Sequence, residues 1–498
     1  MDPIKLQLLQ QVAQVEIFPE SIQKDGTTIY FMGKDAGGGQ TVVGMCATQG
    51  HGEVHGENRG KTEGKLVTVG PLDHENAVAI RAALPWTAPK RLGLATSAGL
   101  GDRLGLASPG HIRAIRQKGQ GVAPILAQQS IREMARTQRT PDEVMDAATF
   151  GVLQEGFTDG FGSDADHLQK PEDIDVTVAA GFTMFTIDPG AHVVNDADEM
   201  SVGELANRYD QLDFDTLQIA SDDLKAAYDE KTFELDGGDT VEFSGAAFLR
   251  AAVKYGHAVA HTVTMYNHLK QIATGEFELE VSVDETESPT TPAEHYFFAA
   301  ELKRLGVEWV SMAPRFVGRF EKGVDYIGDI DEFRRSLKRH VAVMRTLGPY
   351  KISIHSGSDK FSIYPIVGEL TDGLVHLKTA GTSYLEALRA IAKVEPGLYR
   401  EILDFARARY ETDKATYHVS ADLGKVPPAD SLGDEELAGL LDDFDARQVF
   451  HVTFGSVLTS DQFRSRFYDA LKRGEQEHYA VLAAHLGKHV EPLSKVAR

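Results

Sequence analysis

The sequence has 498 residues, 42% of them hydrophobic and 25% charged, which suits one large globular domain with an extension or two to three average domains. The formal net charge of −23 repels nucleic acid and anionic membrane surfaces, so neither is an expected partner, and a site for an anionic ligand needs local cations or a metal. The single cysteine, Cys46, excludes an internal disulfide and a cysteine-based zinc site, and the lack of a secretory signal or an apolar run of about 18 residues predicts a cytoplasmic protein.

Residues 1–88 are predicted to form a strand-rich N-terminal extension. Two apolar segments, "TTIYFMG" and "QTVVGMCA", are typical of strands and flank the glycine-rich turn "KDAGGG". The polar, glycine-rich segment over 49–65 is predicted to be an exposed loop. A metal site in that loop is the less favoured alternative, and its ligands would be His51, Glu53, His55 and Glu57.

Residues 89–498 show short apolar runs that alternate with helical segments. The predicted strands are "LGLAT", "VAPILAQQ", "FTMFTID", "FELEVSVDE", "VEWVSMAP", "KISIHSG", "LVHLKTAG" and "YHVSADL". Because strand–helix alternation gives parallel strands with crossover helices, about eight such units predict an α/β fold, a TIM-like (β/α)8 barrel with insertions. An open doubly wound sheet is the alternative. The acidic segment over about 195–250 has a helical pattern and is predicted to be an insert.

Polar residues stand where several predicted strands end, which is where barrel enzymes place their catalytic groups. "GFGSDADHLQKPED" brings Asp166 and His167 together, and Glu280 in "LEVSVDETESP" lies on the inward side of its strand by two-residue alternation. "ISIHSGSDKFS" ends a strand on His355. A single histidine at a strand end is more often structural than functional. The recurrence of polar residues at the ends of several strands, however, favours a functional site.

Signatures of nucleotide binding are missing from the sequence. "GLGDRLG" (99–105) lacks the spacing of the dinucleotide fingerprint, and neither a phosphate-binding loop nor a G-x-S-x-G turn is found. We therefore expect no nucleotide cofactor.

The adjacent Asp166 and His167 suit metal-assisted chemistry, because the histidine can bind a metal while the neighbouring carboxylate moves protons. The pair, with the later "IHSGSD" loop, resembles the metal-dependent class II aldolases. Those barrels use an Asp-His step and a His-Gly-Gly-Ser-type loop, and Ser356 stands here where that family has glycine.

A more extensive resemblance covers nearly the whole chain after about residue 90. The segments "TSAGLGDRLGLASPGHIRAI", "ILAQQSIREMARTQRT", "GFGSDADHLQKPED", "EVSVDETESPTTP", "YKISIHSGSDKFSIYP", "HLKTAGTSYLEA" and "HVTFGSVL" are similar to the tagaturonate epimerase family and occur in the expected order. The resemblance implies a metal-dependent enzyme of hexuronate catabolism that interconverts D-tagaturonate and D-fructuronate at C4.

The resemblance also implies catalytic and metal-binding roles. Asp166 is the expected proton acceptor, and Glu280 the expected proton donor on the opposite face of the substrate. His167 and His355 are the expected metal ligands. The third ligand of the class II aldolases is a histidine on the preceding strand, and "VEWVSMAPRFVGRFEKG" contains none. Glu321, the nearest carboxylate after Arg315, is the expected third ligand, and its rivals are Asp284, Glu285 and His376. Two histidine ligands favour Zn²⁺, while Mn²⁺, Fe²⁺, Co²⁺ and Ni²⁺ also suit such a site.

An acidic protein needs cations for the substrate carboxylate. Lys360 is the first candidate to bind that carboxylate, Arg315 is the second, and Arg132 and Lys378 are further candidates. Ser356 is expected to donate a hydrogen bond to sugar oxygens. Each cation, like the inward Glu280, has a structural alternative, in which a barrel carboxylate pairs with a lysine or an arginine.

The chemistry of a C4 epimerisation restricts the mechanism. The proton on C4 is alpha neither to the C2 ketone nor to the C6 carboxylate, so simple deprotonation does not epimerise C4. Retro-aldol cleavage of C3–C4 is favoured over transient oxidation, since no nucleotide signature is found. The alternatives are a class II-type aldolase acting on a keto-hexuronate and, less favoured, a non-catalytic sugar-binding partner subunit. The expected partner is a small keto-hexuronate, and a homo-oligomer is left open.

Overall fold

An antiparallel sheet lies at the N-terminal end of the computed structural model, which describes residues 3–37, 39–48 and 53–497. Its strands run in the order β1-β3-β4-β6-β5, with β2 paired to β3. The strands are β1 (Val15–Ile17), β2 (Gln23–Asp25), β3 (Thr28–Asp35), β4 (Thr41–Ala47), β5 (Glu57–Thr62) and β6 (Lys65–Gly70). The helices of this region are α1 (Pro3–Ala13) and α2 (His74–Ala83).

The loop predicted over 49–65 is wrong in its second half, because residues 57–62 form β5 and pair with β6. The residues of this strand are exposed or half-buried, and their glycine and polar side chains lack the apolar alternation that predicts a strand. Of the alternating ligands named there, His51 lies outside the described residues, and His55 faces Glu75 at 3.2 Å on the surface.

A closed barrel of eight parallel strands follows, which confirms the predicted TIM-like fold. The strands after residue 90 are β7 (Ser97–Gly99), β8 (Ala123–Ser130), β9 (Gly162–Leu168), β10 (Met184–Ile187), β11 (Thr232–Glu234), β12 (Thr240–Glu242), β13 (Glu278–Ser282), β14 (Ser311–Ala313), β15 (Lys351–Ile354) and β16 (Val375–Lys378). The barrel order is β7-β8-β9-β10-β13-β14-β15-β16, and β16 closes onto β7. Strands β11 and β12 form a separate hairpin.

Two of the eight predicted strands need correction. "LGLAT" ends one residue before β7, and "YHVSADL" forms no strand. The eighth strand is β9, in the segment interpreted only as a polar cluster. Its inward side chains include Asp164 and Asp166, and both are buried. Carboxylates in the barrel interior therefore concealed the hydrophobic pattern that predicts a strand.

Helices surround the barrel and build the predicted insert. They are α3 (Ser108–Lys118), α4 (Ile131–Thr137), α5 (Pro141–Glu155), α6 (Pro171–Ala179), α7 (Val202–Tyr209), α8 (Ser221–Tyr228), α9 (Ala247–Ile272), α10 (Pro292–Arg304), α11 (Ile330–Leu347) and α12 (Tyr364–Thr371). The insert, predicted as helical over about 195–250, contains α7 and α8 but also the hairpin of β11 and β12.

The C-terminal helices form a second apolar core beside the barrel. They are α13 (Thr382–Val394), α14 (Pro396–Asp413), α15 (Asp434–Leu437), α16 (Phe444–Thr459), α17 (Arg464–Arg473) and α18 (Glu475–Ser494). Helix α18 packs against α3, and α16 contacts α4 at the mouth of the barrel. Among the described residues, no helix is both long and apolar enough to cross a bilayer.

Candidate active site

A polar pocket lies where the loops after the barrel strands meet helix α16. The groups that line it are mostly charged, and they include Arg103, Asp166, His167, Glu285, Lys322, His355, Ser356, Lys378 and His451. Barrel enzymes bind their substrates at this C-terminal face, so the pocket is the candidate active site.

A bulge in β9 brings Asp166 and His167 to the same side. Ala165 pairs with Phe185 and Leu168 with Ile187, so two residues of β9 stand opposite one residue of β10. His167 adopts the left-handed conformation, with φ of 52°. In a regular strand neighbouring side chains point to opposite faces, whereas a bulge with one left-handed residue redirects one of them. Both side chains consequently line the pocket.

The His167 ring is oriented by a carboxylate behind it. Its Nδ1 lies 3.2 Å from Asp188 Oδ2, and that carboxylate also accepts hydrogen bonds from Gln169 Nε2 and from the backbone N–H of Gly190. Burial lowers the pKa of His167, but Asp166 and Asp188 outweigh burial and raise it well above the usual value. A carboxylate on Nδ1 leaves Nε2 facing the pocket, which is the usual support for a metal-binding histidine.

The His355 ring lies between two carboxylates. Its Nε2 is 2.6 Å from Glu280 Oε1, and its Nδ1 is 3.1 Å from Asp284 Oδ1. Burial and Lys378 lower the pKa of His355, yet Asp284 and Glu280 prevail and raise it to about 9. The ring centroids of His167 and His355 are 5.0 Å apart.

Lys378 joins the carboxylates of the barrel interior. Its ammonium lies 2.8 Å from Asp164, 2.7 Å from Asp166 and 2.7 Å from Glu280. Burial raises the pKa of Asp164 to about 6 against the opposing effect of Lys378. Burial also raises the pKa of Asp166, but Lys378, His167 and His355 together outweigh burial and hold that pKa below its usual value. Asp166 is therefore ionised at neutral pH.

Two overlapping groups of side chains have the composition of a metal site. One ligand atom from each of Asp166, His167 and His355 lies within 4.8 Å of the other two, and the same holds for His167, Asp188 and Glu285. Imidazole and carboxylate donors suit Zn²⁺ and the other first-row divalent cations. The residues present therefore fit a divalent metal centred near His167.

Comparison with known proteins shows the family to which the chain belongs. Residues 18–493 match the sequence profile of the UxaE family, the tagaturonate epimerases. This chain belongs to the tagaturonate epimerase family. It is 42% identical to the tagaturonate/fructuronate epimerase of Thermotoga maritima over 479 residues, which covers 96% of this chain and 97% of that protein.

Solved structures of the family have the same fold. The native fructuronate-tagaturonate epimerase UxaE from Cohnella laeviribosi matches with a TM-score of 0.90 and 38% identity, over 98% of this chain and 99% of that one. Its complex with one glycerol has a TM-score of 0.89 at 39% identity and the same coverage. The resemblance inferred from the sequence is thereby confirmed along nearly the full chain.

In this member of the tagaturonate epimerase family, three of the expected site residues lie away from the pocket or behind it. Lys360 is fully buried, and its ammonium donates hydrogen bonds to the carbonyls of Glu321 and Ser358 and contacts that of Val324, which argues against the expected contact with substrate. Glu321 accepts hydrogen bonds from Ser420 and Gln448 and belongs to neither donor group, which argues against a ligand role.

Glu280 is fully buried behind His355 and does not line the pocket, which argues against direct proton donation to a substrate. Ser356 lies in the pocket with φ of 49°, and its Oγ accepts a hydrogen bond from Lys322 Nζ at 2.5 Å. Arg315 lines an adjoining cavity that shares His355 and Ser356 with the pocket. The rival ligand His376 lies deep in the barrel beside Ser97.

The loop that carries His355 and Ser356 is anchored to α16 and α18 through Asp359. The Asp359 carboxylate contacts His485 Nε2 at 2.5 Å and Arg447 NH2 at 2.9 Å, and its backbone N–H donates to His489 Nε2. Burial raises the pKa of Asp359, but Arg447 and His485 outweigh it and hold the pKa well below its usual value. This cluster also has metal-ligand composition, but Arg447 pairs with its carboxylate and none of its three ligand residues lines the pocket.

Asp359→Asn is expected to lower the free energy of unfolding by about 2 kcal/mol at pH 7, because Arg447 loses a buried ionic partner. The carboxylate's contribution is fully present above the ordinary aspartate pKa of about 3.9 and is lost as pH falls from there towards the depressed folded value. Urea unfolding of both proteins between pH 3 and 7 measures this. The difference between them should shrink below about pH 4. Asp325→Asn, at an exposed carboxylate that binds Ser362 of the same loop, is the control and should cost little. A pH-independent difference between the wild type and Asp359→Asn contradicts the assignment.

Sequence reasoning missed Arg103, Gln128 and His451, although all three line the pocket. Gln128 donates a hydrogen bond to Asp166 Oδ2 at 2.9 Å. Arg103 and His451 lie in segments that carry the family resemblance, and that resemblance was their only signal. Lys378 was considered as a contact for the substrate carboxylate, whereas its ammonium binds Asp164, Asp166 and Glu280.

Proposed function

We propose that this protein is a divalent-metal-dependent epimerase that interconverts D-tagaturonate and D-fructuronate at C4. The observation that supports this most is the convergence of Asp166, His167 and His355 in one pocket at the C-terminal mouth of the barrel. Its relatives in Thermotoga maritima and Cohnella laeviribosi are named for the same pair of sugar acids.

We further propose that His167 and His355 hold the metal and that Glu285 supplies the third protein donor in place of Glu321. Glu285 shares a donor group with His167 and Asp188, and its exposed side chain lines the pocket. Two imidazoles and one carboxylate favour Zn²⁺. When bound, the cation would polarise the C2 carbonyl and stabilise the negative charge that develops on it.

Asp166 is the proposed proton acceptor from the C4 hydroxyl. Its removal of that proton turns C4–OH into an aldehyde as the C3–C4 bond breaks, and the bonding electrons pass to the C1–C3 ketone fragment as an enediolate. Rotation of the aldehyde presents its other face to C3. The bond then re-forms, and the protonated Asp166 returns the proton to O4. Since Lys378 keeps Asp166 ionised, the acceptor is available throughout the neutral range.

Glu280 has a different proposed role from the one expected of it. It contacts His355 Nε2 and Lys378 Nζ and lies behind both of them. We propose that it orients these side chains and does not donate a proton to the substrate.

Proton NMR of metal-loaded protein with D-tagaturonate in D₂O tests the function, with an EDTA-treated sample as the control. Metal-dependent formation of D-fructuronate without deuterium at C4 is the expected result. Deuterium at C4 contradicts the retro-aldol route. Accumulation of dihydroxyacetone and 2-hydroxy-3-oxopropanoate, the two fragments of C3–C4 cleavage, identifies the alternative aldolase. No reaction with any of the divalent cations named above contradicts the proposed activity.

A further inference from the structure

One wall of the pocket carries side chains that can donate hydrogen bonds. It consists of Arg103 from the loop after β7, His451 from helix α16 and Lys322, with Ser356 and Ser358 beside them. None of these groups belongs to the donor groups around His167 among the described residues. Glu133 neutralises Arg103, so Lys322 leaves this wall with a positive charge inside a protein whose net charge is −23.

Arg103 is held rigidly while one edge of its guanidinium stays without a partner. Its Nε donates to Glu133 Oε1 at 2.8 Å, its NH2 contacts the same oxygen, and its Cζ lies 3.9 Å from the centre of the Phe454 ring. Within the described part of the chain, NH1 has no hydrogen-bond partner, although the residue is only 5% exposed. A buried donor without a partner costs free energy unless a ligand or water satisfies it.

The loop that carries Arg103 is fixed by its own neighbour. The Asp102 carboxylate accepts hydrogen bonds from the backbone N–H groups of Leu104, Gly105 and Ala107 at 2.7 to 2.9 Å. The orientation of Arg103 is therefore set before a ligand arrives, which reduces the ordering cost of binding.

His451 adds a second unpaired polar group to the same wall. It is 2% exposed, and in the described structure neither ring nitrogen has a hydrogen-bond partner. Gly323 and Gly381 leave the space that the ring occupies, since a Cβ on Gly381 would lie 2.1 Å from its Cε1. Burial, with Arg103 and Lys322 nearby, lowers the pKa of His451 well below its usual value. The ring is thus neutral and offers one N–H donor to the pocket.

We propose that Arg103 and His451 bind the terminal carboxylate of the sugar acid, an inference that rests on the function proposed above. A fixed guanidinium edge with one neutral N–H beside it is complementary to a carboxylate. Lys322 supplies the remaining positive charge, because Arg103 is already paired with Glu133. The wall consequently selects keto-uronates over neutral ketohexoses, in which a CH₂OH group replaces the carboxylate.

Arg103→Met tests this assignment through the balance between KM and kcat. We expect KM for D-tagaturonate to rise about 10- to 100-fold, as for loss of a charge-assisted hydrogen bond, while kcat changes far less. The inhibition constant of D-tagatose, the neutral counterpart, should not change. Arg103→Lys, which keeps the charge but loses the planar fork, should lie between Arg103→Met and the wild type. His451→Phe should show the same pattern with a smaller rise in KM.

Arg113→Met is the matched control. Arg113 also binds a carboxylate, that of Glu155, and the face of an aromatic ring, that of Tyr479, but it does not line the pocket. The KM of Arg113→Met for D-tagaturonate should therefore equal that of the wild type. Equal weakening of D-tagaturonate and D-tagatose in Arg103→Met, or a lower kcat at unchanged KM, overturns the proposal.

Binding of D-tagaturonate by isothermal titration calorimetry separates this proposal from the proposed function. Wild-type protein that binds D-tagaturonate without turnover contradicts the epimerase activity, and a weaker affinity in Arg103→Met then still supports carboxylate recognition. Wild-type protein that neither binds nor converts D-tagaturonate contradicts both proposals.

Discussion

Asp166→Asn is expected to lower kcat for D-tagaturonate epimerisation by about 10³-fold while the bound metal remains, because an amide does not accept the C4 hydroxyl proton. The substitution preserves the size of the side chain and an oxygen for Gln128. Steady-state kinetics and metal analysis of the purified protein measure the two effects separately. The neutral side chain removes one charge beside His167 but leaves Asp188 on its Nδ1.

Two further variants test which carboxylate binds the metal. Glu285→Gln is expected to lower the metal content, and Glu321→Gln, whose carboxylate is held by Ser420 and Gln448, is the control that should retain it. Loss of metal in Asp166→Asn would make Asp166 a ligand and not the base. Loss of metal in Glu321→Gln would restore the ligand expected from the sequence.

Lys378→Met is expected to destabilise the protein by about 3–5 kcal/mol at pH 7, since removal of one member of a buried ionic cluster leaves its partners uncompensated. The three carboxylates that lose their ammonium are Asp164, Asp166 and Glu280. In the variant, protonation relieves these carboxylates, so their pKa values rise in the folded state. The cost should therefore grow as pH increases and diminish towards pH 5. Urea unfolding of metal-free protein between pH 5 and 8 measures the effect.

Lys351→Met is the control for Lys378→Met. Lys351 is equally buried in the barrel, but its ammonium donates to Ser97 Oγ at 2.9 Å, and burial lowers its pKa to about 8. Its replacement by an apolar side chain should cost less. In the double variant Lys378→Met with Asp164→Asn, part of the lost stability should return, because one unpaired carboxylate is gone. Equal costs for the two lysines, or no recovery in the double variant, contradict the assigned role of Lys378.

The architecture of the barrel could be predicted because strand–helix alternation survives in most of its units. "VAPILAQQ", "FTMFTID" and "KISIHSG" each contain their observed strand nearly in full. The pattern failed in β9, where carboxylates face inward and are neutralised by Lys378 on β16, which lies 212 residues after Asp166 in the sequence. A single sequence does not show that distant partner, so β9 was interpreted as a polar cluster and the coil "YHVSADL" as the eighth strand.

The site was predictable only where neighbours in sequence are also neighbours in space. Asp166 and His167 are adjacent, and the loop after β15 places His355 and Ser356 at the end of a strand. A positive charge next to His355 does not distinguish a substrate contact from a structural one, and the Lys360 ammonium contacts the carbonyls of Glu321 and Val324 and that of Ser358 in its own loop. Arg103 lies in "GLGDRLG", which carries the family resemblance but no pattern that singles out this arginine, and its pocket neighbours Lys322 and His451 are distant in sequence.

The place of His451 on α16 has a consequence for how the pocket forms during synthesis. All eight barrel strands, and with them Asp166, His167 and His355, emerge from the ribosome before α16 is made. The histidine of the carboxylate wall and the Phe454 ring beneath Arg103 are still missing at that stage. The loop with His355 also lacks its anchors on α16 and α18, so both the reactive groups and the carboxylate wall reach their final positions only when the C-terminal helices pack.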